Sequence, residues 1–353
     1  MKIVSNVAKL FNQNEVLTYL KNRQYPTLVG ATLFPEVKVQ SLKFDEIIGA
    51  SRIPVVASIH AFDTEAEIGS RQGDTQTLEL AFIKRKMKLN EEDIMAINAP
   101  RTKAEQDYLV REVYNDIDVL VRGVMARVEA MRMEALATGK ITIDENNLKG
   151  EVKYHVPEEN QEILAGANAW DNEASDPLGD FRRWMDGMEV VPTRALTSRK
   201  VLTTLMRHPQ ILKLTNKTDI GVVGPTELDV IFKQYGLPVV RTYDETYRKQ
   251  LPDGSYETHR YFPEDAFVMF GDGPLGRTLY GPTPEELRII NDPAVNVRNI
   301  GKVLAMVYET SVDPVATWTK AVATAMPSFP SAGEVFQAKV LAEDTEEPPA
   351  VEG

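Results

Sequence analysis

Between residues 102 and 139 apolar side chains recur in steps of three and four: Leu109, Val113, Ile117, Leu120, Val124, Val128, Met131 and Ala135. That spacing lines one stripe of an α-helix. Thr102-Lys-Ala-Glu105 has the capping-box spacing at the front, and Gly139 supplies a left-handed stop at the back. No proline falls between Glu105 and Thr138, and Gly123 is the one interruption. At 1.5 Å per residue the predicted helix is roughly 50 Å long. The steps do not sustain a heptad, so a coiled coil fits less well than one long helix backed by a sheet.

Ahead of this helix the pattern changes. Residues 1–30 read as an N-terminal arm with a modest amphipathic stretch (Val7, Leu10, Val16, Leu17, Leu20) before Pro26. Residues 31–48 read as extended, because Leu33, Val37, Val39, Leu42 and Phe44 fall mostly in steps of two. Ile53 to Phe62 is apolar and β-prone, Asp63 to Asp74 is polar with two glycines, and Thr75 to Lys88 alternates again. This predicts a long two-stranded excursion with a polar tip. A lone hairpin is marginal in water, so it must lie on its own domain or on a neighbouring subunit.

After Gly139 short strands are expected at Ile141–Ile143 and Val152–Val156, then a loop through Asn168-Ala-Trp170. Asp176-Pro177 opens a helix, Asp as N-cap and Pro at the first helical position, with Leu178, Phe181, Met185 and Met188 on its apolar face. A strand-like piece from Val190 to Leu196 leads to helices over Ser198–Arg207 and Pro225–Tyr235. Strands follow at Val239–Tyr243, Tyr256–Phe262, Ala266–Phe270 and Arg277–Tyr280, with a turn at Pro252-Asp-Gly254. Val295 to Glu309 reads as strand, Val312 to Ala325 as holding a short helix, and Glu334 to Leu341 as a last strand.

Composition narrows the chemistry. No cysteine is present among the 353 residues, which excludes disulfides, thiolate-bound zinc, iron–sulfur clusters and thiol catalysis. Four histidines stand far apart, at 60, 155, 208 and 259. The net charge is −12, and Glu343, Asp344, Glu346, Glu347 and Glu352 put five of those charges on an acidic, proline-containing tail expected to be disordered. No basic nucleic-acid footprint is expected. The N-terminal stretch holds no apolar run long enough for a signal peptide or a span, so cytoplasmic synthesis without export is expected.

Candidate chemistry is sparse. Gly271-Asp-Gly273-Pro-Leu-Gly276 spells G-x-G-x-x-G, but Pro274 sits inside it and a strand follows where a dinucleotide site needs a helix, so a hairpin loop is the better reading. There is no P-loop and no G-x-S-x-G. Glu91-Glu92-Asp93, Glu158-Glu159 and Glu285-Glu286 read as solvated helix starts or loops. Asp63, Glu65 and Glu67 could ligate a cation but read more simply as a charged β-surface. Met125, Met131 and Met133 read as core filling, and Tyr243, Tyr256 and Tyr261 as sheet packing. No catalytic residue, cofactor or metal is expected.

Several passages carry a resemblance. Asn168-Ala-Trp170, then Asp176-Pro177-Leu178-x-Asp180-x-x-x-Trp184, Pro192-Thr193 and Leu202-x-x-Leu205-x-x-His208-Pro209 resemble the middle of the tailed-phage major capsid protein E family, the lambda-like major capsid proteins. Glu134-Ala-Leu136-Ala-Thr-Gly139-Lys140 is similar to the family's E-x-L-x-x-G-K passage, and Leu33-Phe34-Pro35 before a long hairpin is in its style. The order of elements agrees from about residue 25 to residue 341.

The resemblance implies an α+β, Hong Kong 97-type capsid fold. It implies an N-terminal arm over 1–30 and a peripheral domain over 31–175, with an extended loop at about 53–84 and a spine helix at about 102–139. An axial domain over 176–299, a return to the peripheral domain over 300–341 and a tail over 342–353 complete it. The implied function is the major capsid protein of a tailed phage, forming pentamers and hexamers of an icosahedral virion shell around double-stranded DNA, assembled in the host cytoplasm. It implies a separate scaffolding protein, a portal and room for a decoration protein, without membrane partners or sequence-specific DNA binding. Phe62, Asp63, Glu65, Glu67, Arg71 and Asp74 are the candidate intersubunit contacts. No Lys/Asn pair stands in the context of a cross-linking capsid, and no coiled-coil front of a fused scaffold is seen. Two alternatives remain open. One is a cellular encapsulin-like cargo shell of the same fold, distinguished by its genomic neighbours. The other is a nucleotide-binding enzyme, distinguished by nucleotide titration.

Overall fold

A computed structural model describes residues 11–48, 56–57, 74–89, 91–145, 148–214, 222–290, 295–296, 300–310 and 316–342. In chain order the first part holds α1 (Gln13–Asn22), α2 (Val29–Leu33), β1 (Glu36–Lys38), β2 (Lys43–Ile48), β3 (Asp74–Glu79), β4 (Ala81–Leu89), α3 (Glu91–Asn98) and α4 (Lys103–Thr138). The middle holds β5 (Lys140–Glu145), β6 (Leu148–Lys153), β7 (Gln161–Ile163), α5 (Pro177–Gly187), β8 (Arg194–Thr197), α6 (Arg199–Arg207), α7 (Pro209–Leu214) and α8 (Pro225–Gln234). It continues with β9 (Val239–Thr242), β10 (Thr246–Gln250), β11 (Tyr256–Arg260) and β12 (Ala266–Phe270). The last part holds β13 (Arg277–Gly281), α9 (Pro284–Ile289), β14 (Leu304–Thr310), β15 (Ala316–Ser328) and β16 (Phe336–Lys339). The described residues gather into two compact units, one drawn from 1–45, 77–131 and 277–328, the other from 46–76, 132–276 and 329–353.

The first unit is built on β15. Its 13 residues pair antiparallel with β4 along one edge, and with β14 and β13 in tandem along the other, while β1 adds to β13 in parallel. This corrects the short helix expected within Val312–Ala325, whose described part, Ala316–Ala325, is strand throughout. In the strand half Thr75–Lys88, β4 pairs with β15 and β3 with β2, so it divides between two sheets. The expected partner, Ile53–Phe62, lies outside the described residues apart from Val56 and Ala57. Val295–Glu309 is strand only from Leu304 onward among the described residues.

The long helix α4 runs for 36 residues, about 54 Å at 1.5 Å each. Thr102 Oγ1 accepts from Glu105 N at 3.1 Å and Glu105 Oε2 accepts from Arg101 N at 2.8 Å, so both halves of the box are formed, one residue wider than its usual geometry. Val113, Ile117, Leu120, Val124 and Val128 are buried in one stripe. Val113 packs with Leu89 of β4, and Leu109 and Val307 of β14 join that cluster. Gly123 lies against the Arg85 side chain. The face of β15 on that side carries Thr317, Thr319, Ala321, Ala323 and Ala325, all buried. Small side chains there let a helix lie close to the sheet.

The N-terminal arm contains α1, docked and not loose: Val16 and Leu17 are fully buried, Leu17 packs with Leu304 and Val322, and Gln13 Nε2 donates to Ala305 O at 2.8 Å. Buried Asp118 on α4 accepts from the Tyr19 and Tyr25 hydroxyls at 3.0 and 2.9 Å and pairs with Arg23 at 3.0 Å. Burial first, then the bond to Asp118, holds both phenols above their usual pKa, so they stay donors. Residues 31–33, expected as extended, are helical instead: α2 sits with Gly30 N donating to the buried Glu129 carboxylate of α4 at 2.7 Å.

The second unit is a five-stranded sheet in the order β7-β16-β12-β8-β9, parallel at both ends and antiparallel between. Helices α5, α6 and α8 bury their apolar faces on it around Phe181, Trp184, Val201, Leu205, Leu228 and Phe232. Their starts are those expected: Asp176 Oδ1 accepts from Gly179 N at 2.9 Å, Ser198 Oγ accepts from Val201 N at 3.1 Å, and Pro177 and Pro225 occupy first-turn positions. The second helix is followed directly by α7, capped at His208.

The final turn of α4 belongs to this unit. Gln337 Nε2 donates to Leu136 O at 2.7 Å, satisfying a carbonyl that the helix end leaves open. Gly139 then turns the chain with φ +68°, and a β-carbon there would sit 2.9 Å from Val156 Cγ2. Gly139→Ala therefore meets both a left-handed backbone and a clash, and should cost about 1–3 kcal/mol. Urea denaturation measures this, and an unchanged midpoint would contradict it.

Candidate assembly surfaces

Of the residues expected to touch a neighbour, Phe62, Asp63, Glu65, Glu67 and Arg71 lie outside the described residues. Asp74 is placed by its backbone alone, as the first residue of β3. The Glu91-Glu92-Asp93 run opens α3, and Glu158-Glu159 forms a short 3-10 turn, both as expected of helix starts and loops. Glu285-Glu286 corrects the solvated reading. Glu286 is 8% exposed and pairs with Lys38 at 2.6 Å, while Glu285 pairs with Lys320. Both hold the start of α9 within the first unit.

The G-x-G-x-x-G loop is a turn between β12 and β13. Arg194 donates to Gly271 O at 3.2 and 2.7 Å and to Gly273 O at 2.6 Å, and Thr193 Oγ1 donates to Asp272 at 2.7 Å. These bonds hold the loop as a turn, and β13 follows it where a dinucleotide site needs a helix N-terminus. Gly273 has φ +89°, which accounts for the glycine by itself.

One arrangement that sequence reasoning missed is Ser175 beside His208, Oγ to Nε2 at 3.1 Å and both buried. Ser175 Oγ donates to Asn172 O at 2.8 Å, and Gln210 N donates to His208 Nδ1 at 3.3 Å. Nδ1 is therefore the acceptor and Nε2 carries the proton, donating to Ser175. A nucleophilic serine needs the opposite tautomer. Burial first of all lowers the His208 pKa, which keeps the ring neutral as a cap for α7. Asp176 is held below its usual range by the Gly179 N–H, then by Gln210.

The motif residues that carried the resemblance also build structure. Trp170 is 1% exposed and donates its indole N–H to Asp180 at 3.0 Å. Trp184 donates to Glu162, and Arg183 bridges both carboxylates at 2.8 and 2.7 Å. Trp170, Phe181, Trp184 and Phe267 lie with ring centroids 5.1–6.4 Å apart, and Trp184 stacks on Phe336 at 4.8 Å. Two bulky indoles are buried with both N–H groups satisfied, which is a packing device.

A groove of about 400 Å³ lies between α6, α8 and β9, and its one carboxylate, Asp229, pairs with Arg241 at 2.9 Å. Among the described residues no His, Asp and Glu side chains cluster as metal ligands, and no helix is long and apolar enough to cross a membrane. Sequence reasoning also missed Lys84, Arg85, Lys86 and Lys88, four exposed bases on β4. The signal was the K-R-K-x-K run itself, obscured by the acidic whole-chain balance.

The family model for phage major capsid protein E matches residues 12–340. The chain belongs to that family. It is a capsid structural protein, not an enzyme; it resides in the virion and works as many copies of itself. The family match also decides between the two shells that the sequence left open, in favour of the phage head. A major capsid protein of Pseudomonas phage JBD67 is 35% identical over 66 residues, covering 18% of this chain and only 21% of that relative. A crystal structure of a protein assigned as a prophage capsid protein from E. coli CFT073 superimposes with TM-score 0.62 at 16% identity, over 93% of this chain and 99% of the other. A phage-related protein from Bordetella bronchiseptica RB50 gives 0.47 at 12% identity, over 92% and 96%. The α+β fold is the Hong Kong 97-type capsid fold expected from the sequence.

Proposed function

We propose that this capsid protein closes the icosahedral head of a tailed phage as pentamers and hexamers around double-stranded DNA. The observation that carries the reading is the family match across residues 12–340. On this reading 102–139 is the spine of a peripheral domain over 31–175, completed by 300–341. Residues 176–299 form the axial domain that gathers about five-fold and six-fold axes. The loop at about 53–84 is an arm laid on a neighbouring copy, with Phe62, Asp63, Glu65, Glu67, Arg71 and Asp74 at the contact. A separate scaffold, a portal and a decoration protein act with it, and the acidic tail keeps packaged DNA from adhering. Repeated weak contacts multiplied by symmetry supply the driving force.

Deleting Glu65 to Asp74 tests the arm. The variant should give a folded subunit, with the circular dichroism of the parent, that fails to close shells in the electron microscope. Normal particles from this deletion would remove the arm from the account.

A further inference from the structure

Strand β4 pairs with β15 along one edge, and its other edge has no strand beside it among the described residues. The register fixes its two faces. Ile83 lies opposite Ala323 and Arg85 opposite Ala321, on the side of α4; Lys84 lies opposite Val322, Lys86 opposite Lys320 and Lys88 opposite Trp318, on the other. Lys84, Lys86 and Lys88 are exposed and, by the rise of a strand, stand about 6.5–7 Å apart. Lys86 Nζ is drawn over the Trp318 ring at 4.1 Å, and Lys84 Nζ lies 5.4 Å from the Phe82 ring. The neighbouring Lys320 is neutralised by Glu285. Among the described residues no carboxylate pairs with the three ladder lysines.

Lysines on an edge strand discourage indiscriminate strand pairing. They also select a partner that brings the opposite charge in the same period. The chain contains one stretch with three carboxylates at alternate positions, Asp63, Glu65 and Glu67. It matches the ladder in number, in sign and in its two-residue spacing.

We propose that the Asp63–Glu67 stretch of a neighbouring copy docks along β4, adding a strand to the edge away from β15 and pairing its three carboxylates with Lys84, Lys86 and Lys88. This rests on the arm reading above and gives the arm its acceptor. Backbone pairing supplies affinity and the charge ladder supplies the register.

The test is a charge swap in the full-length chain, expressed with its scaffold and read as particle yield. Lys84→Glu/Lys86→Glu/Lys88→Glu should cut particles about tenfold or more, as should Asp63→Lys/Glu65→Lys/Glu67→Lys, because each sets like charges face to face. The six-site variant that exchanges both sets should restore particles. Circular dichroism checks that each single set folds; if the Glu set does not, the Gln set at the three lysines should still lose yield. Parental yield from either set, or no rescue by the exchange, overturns the proposal. So do normal shells that fail only to retain DNA, which would assign the ladder to the packaged polyanion. If deletion of Glu65 to Asp74 blocks assembly while lysine reversal does not, the acceptor is wrong and the arm stands. If the deletion assembles normally, the arm reading itself falls.

Discussion

Val124→Pro should prevent the subunit from folding. Val124 is 1% exposed in the middle of the 36-residue helix. Proline there removes the bond from residue 124 to the carbonyl of Leu120 and drives its ring into that carbonyl, at about 3 kcal/mol or more. The cost does not stay local, because Leu120, Val121 and Val128 on either side are also buried and a kink would withdraw them from their contacts. Against a total stability of about 5–15 kcal/mol, losing that packing as well is decisive. Lys103→Pro is the control. Residue 103 is the first of the helix, where proline is tolerated. The first variant should be insoluble or lose the parent's helical circular dichroism, and the second should keep it. Native helicity and soluble yield from Val124→Pro would show that the first unit folds without an intact α4.

Phe181→Ala should be nearly as severe in the second unit. The ring is fully buried, with Trp170, Phe232 and Phe267 centroids each 5.3 Å away, two of them edge-on. Truncation leaves a cavity walled by rings that cannot collapse into it, which costs about 3–5 kcal/mol. Trp170 and Trp184 also lose the partner that fixes their orientation, and with it the placement of their N–H groups on Asp180 and Glu162. Urea denaturation followed by tryptophan emission reads both effects. A loss below about 1 kcal/mol would mean that the site repacks and that the cluster is not rigid.

The elements legible from the sequence are those whose signals are local. The α4 helix was readable because its apolar steps, its Thr102–Glu105 box and its Gly139 stop all agree. The starts at Asp176-Pro177, Ser198 and Pro225 were readable because a cap and its N–H partner lie within three residues. What sequence alone misassigned depends on distant partners. Ala316–Ala325 has a helix former's composition, yet it is the central strand, and its alanines and threonines are there because α4 lies against them. Residues 31–33 coil because Glu129, nearly a hundred residues later, takes the Gly30 N–H. The alternation of Thr75–Lys88 was real, but alternation does not name the strand on the other side. Trp184 was recognised as a motif residue and not as core, because the carboxylate that satisfies its indole, Glu162, lies on β7, outside the helix. The β4 lysines were concealed by averaging: a chain at −12 can still carry a positive strip.

The central claim is assembly, and light scattering on a size-exclusion column with negative-stain microscopy of every fraction tests it most directly. The purified protein, alone or co-expressed with the scaffolding protein proposed above, should give closed shells, tubes, or rings of five and six subunits. Monomers and dimers alone, with the scaffold present, would contradict it.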